Sequence, residues 1–156
     1  MSPKLFLQRA VDPGLALLPS YMTCDCSRVI LMSIAGQETN WAARIQSGGG
    51  PAHGYWQFQI EGVNEVIEKQ GPLANAVLKT LDIPITEAYA AVQYNDLVAC
   101  VFARLLLWND PAALPAWGDL AGSFGYYNRN WRPGKPDQTR WGPAYSSSMN
   151  AIQALR

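Results

Sequence analysis

The chain has a single histidine, His53, and three cysteines, Cys24, Cys26 and Cys100, in 156 residues. One imidazole excludes a multi-histidine metal site, and Cys24-Asp25-Cys26 without a second cysteine pair does not make a zinc site. We expect no metal and no other cofactor. An odd cysteine count with so tight a first spacing speaks against a disulfide framework, so free thiols in a reducing cytosol are expected. An excess of either charge is missing too: 12 basic residues balance 12 acidic ones. A general nucleic-acid binder needs a basic excess, so no nucleic-acid partner is expected. No apolar run reaches the roughly 18 residues of a membrane span, and the apolar start is broken by Gln8, Arg9 and Asp12. Neither stable membrane insertion nor a signal peptide is expected.

Apolar residues are plentiful, at 49% against 15% charged, and six Trp and seven Tyr accompany them. This is the composition of a globular chain, and its length suits one domain over residues 1–156 with a sizeable core. The pattern is mostly helical. A weak helix around Lys4–Arg9 meets a break at Pro13-Gly14. Thr23 or Asp25 is the expected N-cap of a helix running to about Ile45. Residues 47–54 read as a loop whose three glycines lack the Lys-Ser/Thr of a nucleotide loop. Gly54–Ile60 alternates, with Tyr55, Gln57 and Gln59 opposite Trp56, Phe58 and Ile60, which predicts a short strand, extended turn or hairpin arm. Helices are expected over Glu61–Gln70 and Leu73–Leu81, separated by Gly71-Pro72, and over Glu87–Tyr94, capped by Thr86. Leu97–Trp108 is apolar all round except for Arg104, the mark of a buried central helix. Arg104 is expected to pair with an acid or to reach the surface along its stem. A helix from Ala116 to about Asn130, a basic turn over Arg132–Pro136 and a last helix opened by Gly142-Pro143 complete the chain. The expected fold is mostly α, α+β overall, with one small extended or hairpin element beside a central helix.

One stretch stands out, Ile34-Ala35-Gly36-Gln37-Glu38-Thr39-Asn40-Trp41. On a helix, Leu31, Ala35, Ala42 and Ile45 share a stripe, and Glu38 falls within it. Core-facing stripes are normally apolar throughout. A carboxyl in such a place is paired or faces a cleft, and burial raises its pKa toward the range a general acid needs. Two readings stand side by side: Glu38 as a proton donor in a sugar-cleaving site, and Glu38 as a hydrogen-bonded residue at the core edge.

With Glu38-Thr39 followed by Gly54-Tyr55-Trp56-Gln57 and then Tyr127-Asn128, the chain resembles the lysozyme superfamily, in particular goose-type lysozymes and soluble lytic transglycosylases. Those proteins carry Glu-Ser on a helix, Gly-Leu-Met-Gln after a loop, and a later Tyr-Asn. Thr39 here stands where they have Ser, and Tyr55-Trp56 where they have Leu-Met. The single-domain size is also similar to small bacteriophage-encoded lysozyme-like proteins. The resemblance implies a peptidoglycan-cleaving domain with glycan strands as partner, made in the host cytoplasm and acting at the bacterial cell wall. It implies Glu38 as catalytic acid/base, with Thr39, Gly54, Tyr55, Trp56, Gln57, Tyr127 and Arg132 around the substrate. Lys135 is expected in a solvated turn stapled by Trp131. Ordinary glycosidases use two carboxyls. Glu61, Glu65 and Asp96 are available, but none sits in a motif, which favours the one-acid lytic transglycosylase route over a hydrolase. The alternative from another class is a virion protein of a tail or ejection assembly that keeps a lysozyme-like fold without activity.

Overall fold

The computed structural model describes all residues from Met1 to Arg156. Its helices are α1 (Pro3–Phe6), α2 (Asp12–Leu15), α3 (Asp25–Thr39), α4 (Ile60–Thr80), α5 (Ala88–Tyr94), α6 (Asp96–Trp108), α7 (Leu120–Trp131) and α8 (Gln138–Gln153). A π-helical turn, Leu7–Val11, joins α1 to α2, so the chain stays helical through Pro13-Gly14 where a break was expected. Pro13 is accommodated directly after the π-helical turn, at the second position of α2. Gly14 lets α2 approach α6 closely: a Cβ there would lie 2.6 Å from Cys100 Cβ. No helix is long and apolar enough to cross a membrane.

The central helix is α6. Asn95 caps it, with its Oδ1 accepting from the backbone N–H of Leu97 and Val98, and Val98 to Leu107 are buried without interruption. Arg104 is buried with them, 3% exposed. It neither pairs with an acid nor reaches solvent; its Nε donates to the Met22 carbonyl at 2.8 Å and its guanidinium lies over the Trp108 ring. Burial lowers its pKa. A carbonyl acceptor at the end of a 3₁₀ turn (Ser20–Met22) substitutes for the carboxylate that the sequence led us to expect.

The expected extended element is not a strand. Gly54–Phe58 is a turn, held by paired His53–Phe58 backbone hydrogen bonds of 2.8 Å and flanked by one isolated bridge from His53 to Ile45. The anticipated two-sided alternation fails because Tyr55, Trp56 and Phe58 are all buried. Three hydrophobic side chains crowd inward from a tight turn, and Gln57 adopts φ 54° to allow it. Elsewhere α4 bends at Gln70 (φ −125°, ψ 27°), two residues before Pro72, as the Gly71-Pro72 break suggested. Helix α5 stands where a helix over Glu87–Tyr94 was expected, but Thr86 lies within a 3₁₀ turn, Ile85–Glu87, instead of capping it. Helix α7 starts later than expected because Gly118 (φ 88°) turns the chain and Asp119 caps at Gly122 N. Helix α8 starts earlier, capped by Asp137, and carries Pro143 inside it rather than at its opening.

Candidate active site

Three helices converge on one wall of the molecule. Helix α3 supplies Glu38 from its last turn. Its start is a capping box in which Cys24 takes the usual Ser/Thr place: the Cys24 Sγ accepts from Ser27 N at 3.2 Å, and Ser27 Oγ accepts from Cys24 N at 2.9 Å. Its end comes at Thr39, well short of Ile45. Asn40 and Trp41 both take left-handed conformations, with φ 52° and 53°. Trp41 folds back beneath the helix, its Nε1 donating to Met32 O at 3.0 Å. Gly36 makes room, since a Cβ there would meet the Trp41 ring at 2.5 Å and Ala144 of α8 at 2.9 Å. The stripe drawn through Ala42 and Ile45 therefore does not exist; both are exposed.

This early stop leaves Glu38 half-buried at the end of a helix instead of enclosed within one. Tyr127 of α7 donates its hydroxyl proton to Glu38 Oε1 at 2.7 Å. The Tyr127 ring is 1% exposed and stacks on Trp141 of α8 at 4.8 Å, and Trp141 is pinned by Ser123 Oγ at 3.0 Å. Loss of solvation raises the Glu38 carboxyl above its ordinary 4.5; the Tyr127 hydrogen bond and the charge of Arg140 oppose that rise without cancelling it. Burial and the neighbouring carboxyl together hold the Tyr127 phenol well above its usual range, so it remains a donor.

Glu38 opens into a cleft of about 290 Å³. Gln57, Tyr127, Trp131, Arg132, Lys135 and Arg140 share its lining. The cleft has a second carboxylate, Asp137, whose Oδ1 caps α8. It accepts from Thr139 N at 3.0 Å and Thr139 Oγ1 at 2.5 Å, and the Thr139 hydroxyl is the chief reason that its pKa is lowered. Glu61 and Glu65 line a neighbouring depression instead, where Glu65 is tied to Lys69 at 3.0 Å and to Arg132 at 3.5 Å. Asp96 is held bidentately by Arg44, at 2.8 and 2.7 Å.

The residues expected around the substrate divide. Tyr127, Gln57 and Arg132 line the cleft with Glu38. Gln57 turns its Nε2 back to Gly54 O at 2.9 Å, so part of its amide serves its own turn. Arg132 caps α7 in a left-handed conformation with its side chain 73% exposed. The other four are scaffold. Thr39 Oγ1 bonds Ala35 O at 3.0 Å and Tyr55 O at 3.1 Å, fastening the turn to the helix. Gly54, with φ 75°, lies where a Cβ would meet Val92 O at 2.2 Å. Tyr55 is buried edge-on against Phe6, under the Arg44 guanidinium. Trp56 is fully buried, its Nε1 donating to Leu31 O at 2.8 Å. Neither ring lines the cleft; beside Tyr127 the aromatic there is Trp131, whose Nε1 donates to Trp56 O at 2.9 Å. Trp131 thus fastens α7 to the Gly54–Phe58 turn rather than stapling the basic turn after it.

Two cleft residues escaped the sequence reading. Arg140 acts on Glu38 from the first turn of α8, and Asp137-Gln138-Thr139, a capping signal, was the clue to where that helix begins. Gln37, 5% exposed, donates its Nε2 to Asp137 O at 3.0 Å while its Oε1 has no protein partner. No signal in the sequence separated it from any other mid-helix amide. Compared with protein-family models, curated proteins and solved structures, the chain finds no match in any of the three.

Proposed function

We propose that this helical domain is lysozyme-like and cleaves the β-1,4 bond between N-acetylmuramic acid and N-acetylglucosamine in bacteriophage attack on peptidoglycan, as a lytic transglycosylase. The observation that carries the reading is the state of Glu38: a desolvated carboxyl with a raised pKa, held by a phenol at 2.7 Å, in a solvent-open cleft. A carboxyl in that state retains its proton to higher pH than a free one, as a general acid requires. The one other carboxylate lining the cleft, Asp137, has its Oδ1 engaged in capping α8, which supports a one-acid route over a paired-carboxyl hydrolase.

In the first step, Glu38 gives its proton to the bridging oxygen as the bond from C1 breaks through an oxocarbenium-like state. The Tyr127 hydroxyl and Arg140 stabilise the carboxylate that results. In the second, the ionised Glu38 takes the proton of the muramyl 6-hydroxyl while that oxygen bonds to C1. The products are an anhydro-muramyl end and a free 4-hydroxyl, with no water consumed and Glu38 reprotonated. In this reading Gln57 binds an N-acetyl group, and Arg132 and Lys135 meet peptide carboxylates. The chain would act at the bacterial cell wall, with glycan strands as its partner.

The test is digestion of purified peptidoglycan by wild type and Glu38→Gln, with products identified by mass spectrometry. Anhydro-muropeptides from wild type alone are expected. Products heavier by one water would replace the transglycosylase with a hydrolase. Absence of products from both proteins, beside a working control enzyme, would replace the enzyme with the inactive virion-protein alternative.

A further inference from the structure

Gln37 precedes Glu38 on the last turn of α3 and is buried. Its Nε2 donates to the Asp137 carbonyl at 3.0 Å, across a sequence separation of 100 residues. That same oxygen accepts from the backbone N–H of Arg140 at 3.2 Å, in the first turn of α8. One carbonyl therefore joins the residue before the acid to the residue whose cation acts on the acid. No other hydrogen bond reaches residues 133–137 from outside that turn and α8. Gly36 brings the two helices together, since a Cβ there would lie 2.9 Å from Ala144, one turn beyond Arg140.

Packing alone does not explain an amide at this place. Its Oε1 is enclosed and has no protein partner, and an orphaned buried acceptor destabilises a fold. An apolar side chain of similar length would leave no orphan, because the Arg140 N–H would still satisfy the Asp137 carbonyl. Polar groups kept against local stability gather at working sites. The charged and titratable groups around Glu38 are Tyr127 from α7, Arg132, Lys135 and Asp137 from the turn after it, and Arg140 from α8. The segment before α4 presents only neutral groups, Gln46, Gln57 and Gln59 among them. Of the charged groups, only Arg140 has its main chain bonded to the oxygen that Gln37 holds.

We propose that Gln37 is a positioning residue of this site: it fixes the first turn of α8 and so keeps the Arg140 cation beside Glu38 as the proton leaves. This rests on the function proposed above and names what aligns its acid. The test is an NMR titration of the Glu38 carboxyl in protein carrying carbon-13-labelled glutamate, with Glu38→Gln assigning the signal. Wild type, Gln37→Met, Arg140→Ala and the double variant are compared. Gln37→Met is expected to raise the Glu38 midpoint, by no more than Arg140→Ala does. The double variant should match Arg140→Ala, because both changes act through one cation and do not add. The melting temperature of Gln37→Met should equal or exceed that of wild type. Gln37→Leu takes its place if that variant does not fold. An unmoved midpoint in a folded variant, or shifts that add in the double variant, would overturn the proposal. Failure of both substitutions to fold would make Gln37 a structural residue and overturn it as well. The titration needs no turnover, so absence of cleavage by wild type would overturn the function and leave the coupling of Gln37 to Arg140 standing.

Discussion

Glu38 and Thr39 are neighbours on one helix turn, and Gln57 follows Trp56 directly, yet within each pair the two residues do opposite work. Glu38 and Gln57 face a polar cleft. Thr39 and Trp56 face inward, the first bonding Tyr55 O and the second Leu31 O. The motif is therefore half cleft lining and half clamp. Thr39, Gly54, Tyr55 and Trp56 hold the turn against the end of α3, and that clamp presents Glu38 and Gln57 on one wall. A hydroxyl after the acid and a glycine before the glutamine are explained by geometry alone, without any contact to a ligand.

This contrast predicts that the two halves fail differently. The largest effect is expected at Glu38. Glu38→Gln should lower strand cleavage by roughly 10²–10⁴-fold, the range for loss of a general acid. It should also raise stability near neutral pH, because a carboxyl whose folded pKa lies above its unfolded value favours the fold while protonated and loses that contribution as pH rises through the folded value. Thermal melts of both proteins from pH 4 to 8 check this; the wild-type curve should fall below that of the variant as pH rises. The same titration gives the activity an alkaline limb with its midpoint above the ordinary carboxylate value.

The clamp should respond in the other sense. Gly54→Ala combines φ 75° with a Cβ 2.2 Å from Val92 O. It should cost roughly 2–4 kcal/mol of stability through backbone strain and displaced packing, measured by urea unfolding. Activity would fall only in proportion to the unfolded fraction and to any loosening of Gln57. A variant as stable as wild type would show that the turn is not held as described.

Tyr127 lies on the boundary between the two halves, since its ring is core and its hydroxyl is site. Tyr127→Phe keeps the ring stacked on Trp141 and removes only the donor. The expected loss of cleavage is about tenfold, the scale of one hydrogen bond to a charged group. The alkaline limb should move to higher pH, because the carboxylate loses a stabilising partner and the protonated form persists further. A purely structural role would leave that limb unmoved.

What was legible beforehand follows the same division. The central helix was readable because Val98–Leu107 is apolar on every side, and a pattern of that kind has one outcome. The half-burial of Glu38 was readable from Leu31 and Ala35 on the same face of α3, although the stripe ends with the helix at Thr39. The Gly54–Phe58 turn was misread because alternation is a strand signal only when one face meets solvent, and here Tyr55 and Trp56 are both enclosed by distant parts of the chain, Phe6 among them. The end of α3 was misread because Trp41 folds back on Gly36, a contact no local pattern encodes. Arg140 was missed because Pro143 was taken as a helix opening, whereas α8 bears it as an interior residue.

Arg140 offers the smallest and sharpest test of the comparison. It belongs to the cleft but bonds neither the turn nor α3; its influence on Glu38 is the attraction of an exposed cation for a nearby carboxylate. Arg140→Ala should therefore leave the melting temperature within the scatter of surface substitutions, about 0.5 kcal/mol or less. Removing the charge leaves the carboxylate less stabilised, so the alkaline limb of activity should move upward, by less than in Tyr127→Phe. Because the interaction crosses solvent, the shift should shrink as salt is raised and the Debye length falls from about 10 Å at 0.1 M to 3 Å at 1 M. The Tyr127→Phe shift, which comes from a direct hydrogen bond, should survive the same salt. Equal salt sensitivity of the two would mean that Glu38 is more hydrated than its burial implies, and its role as the retained proton donor would lose its physical basis.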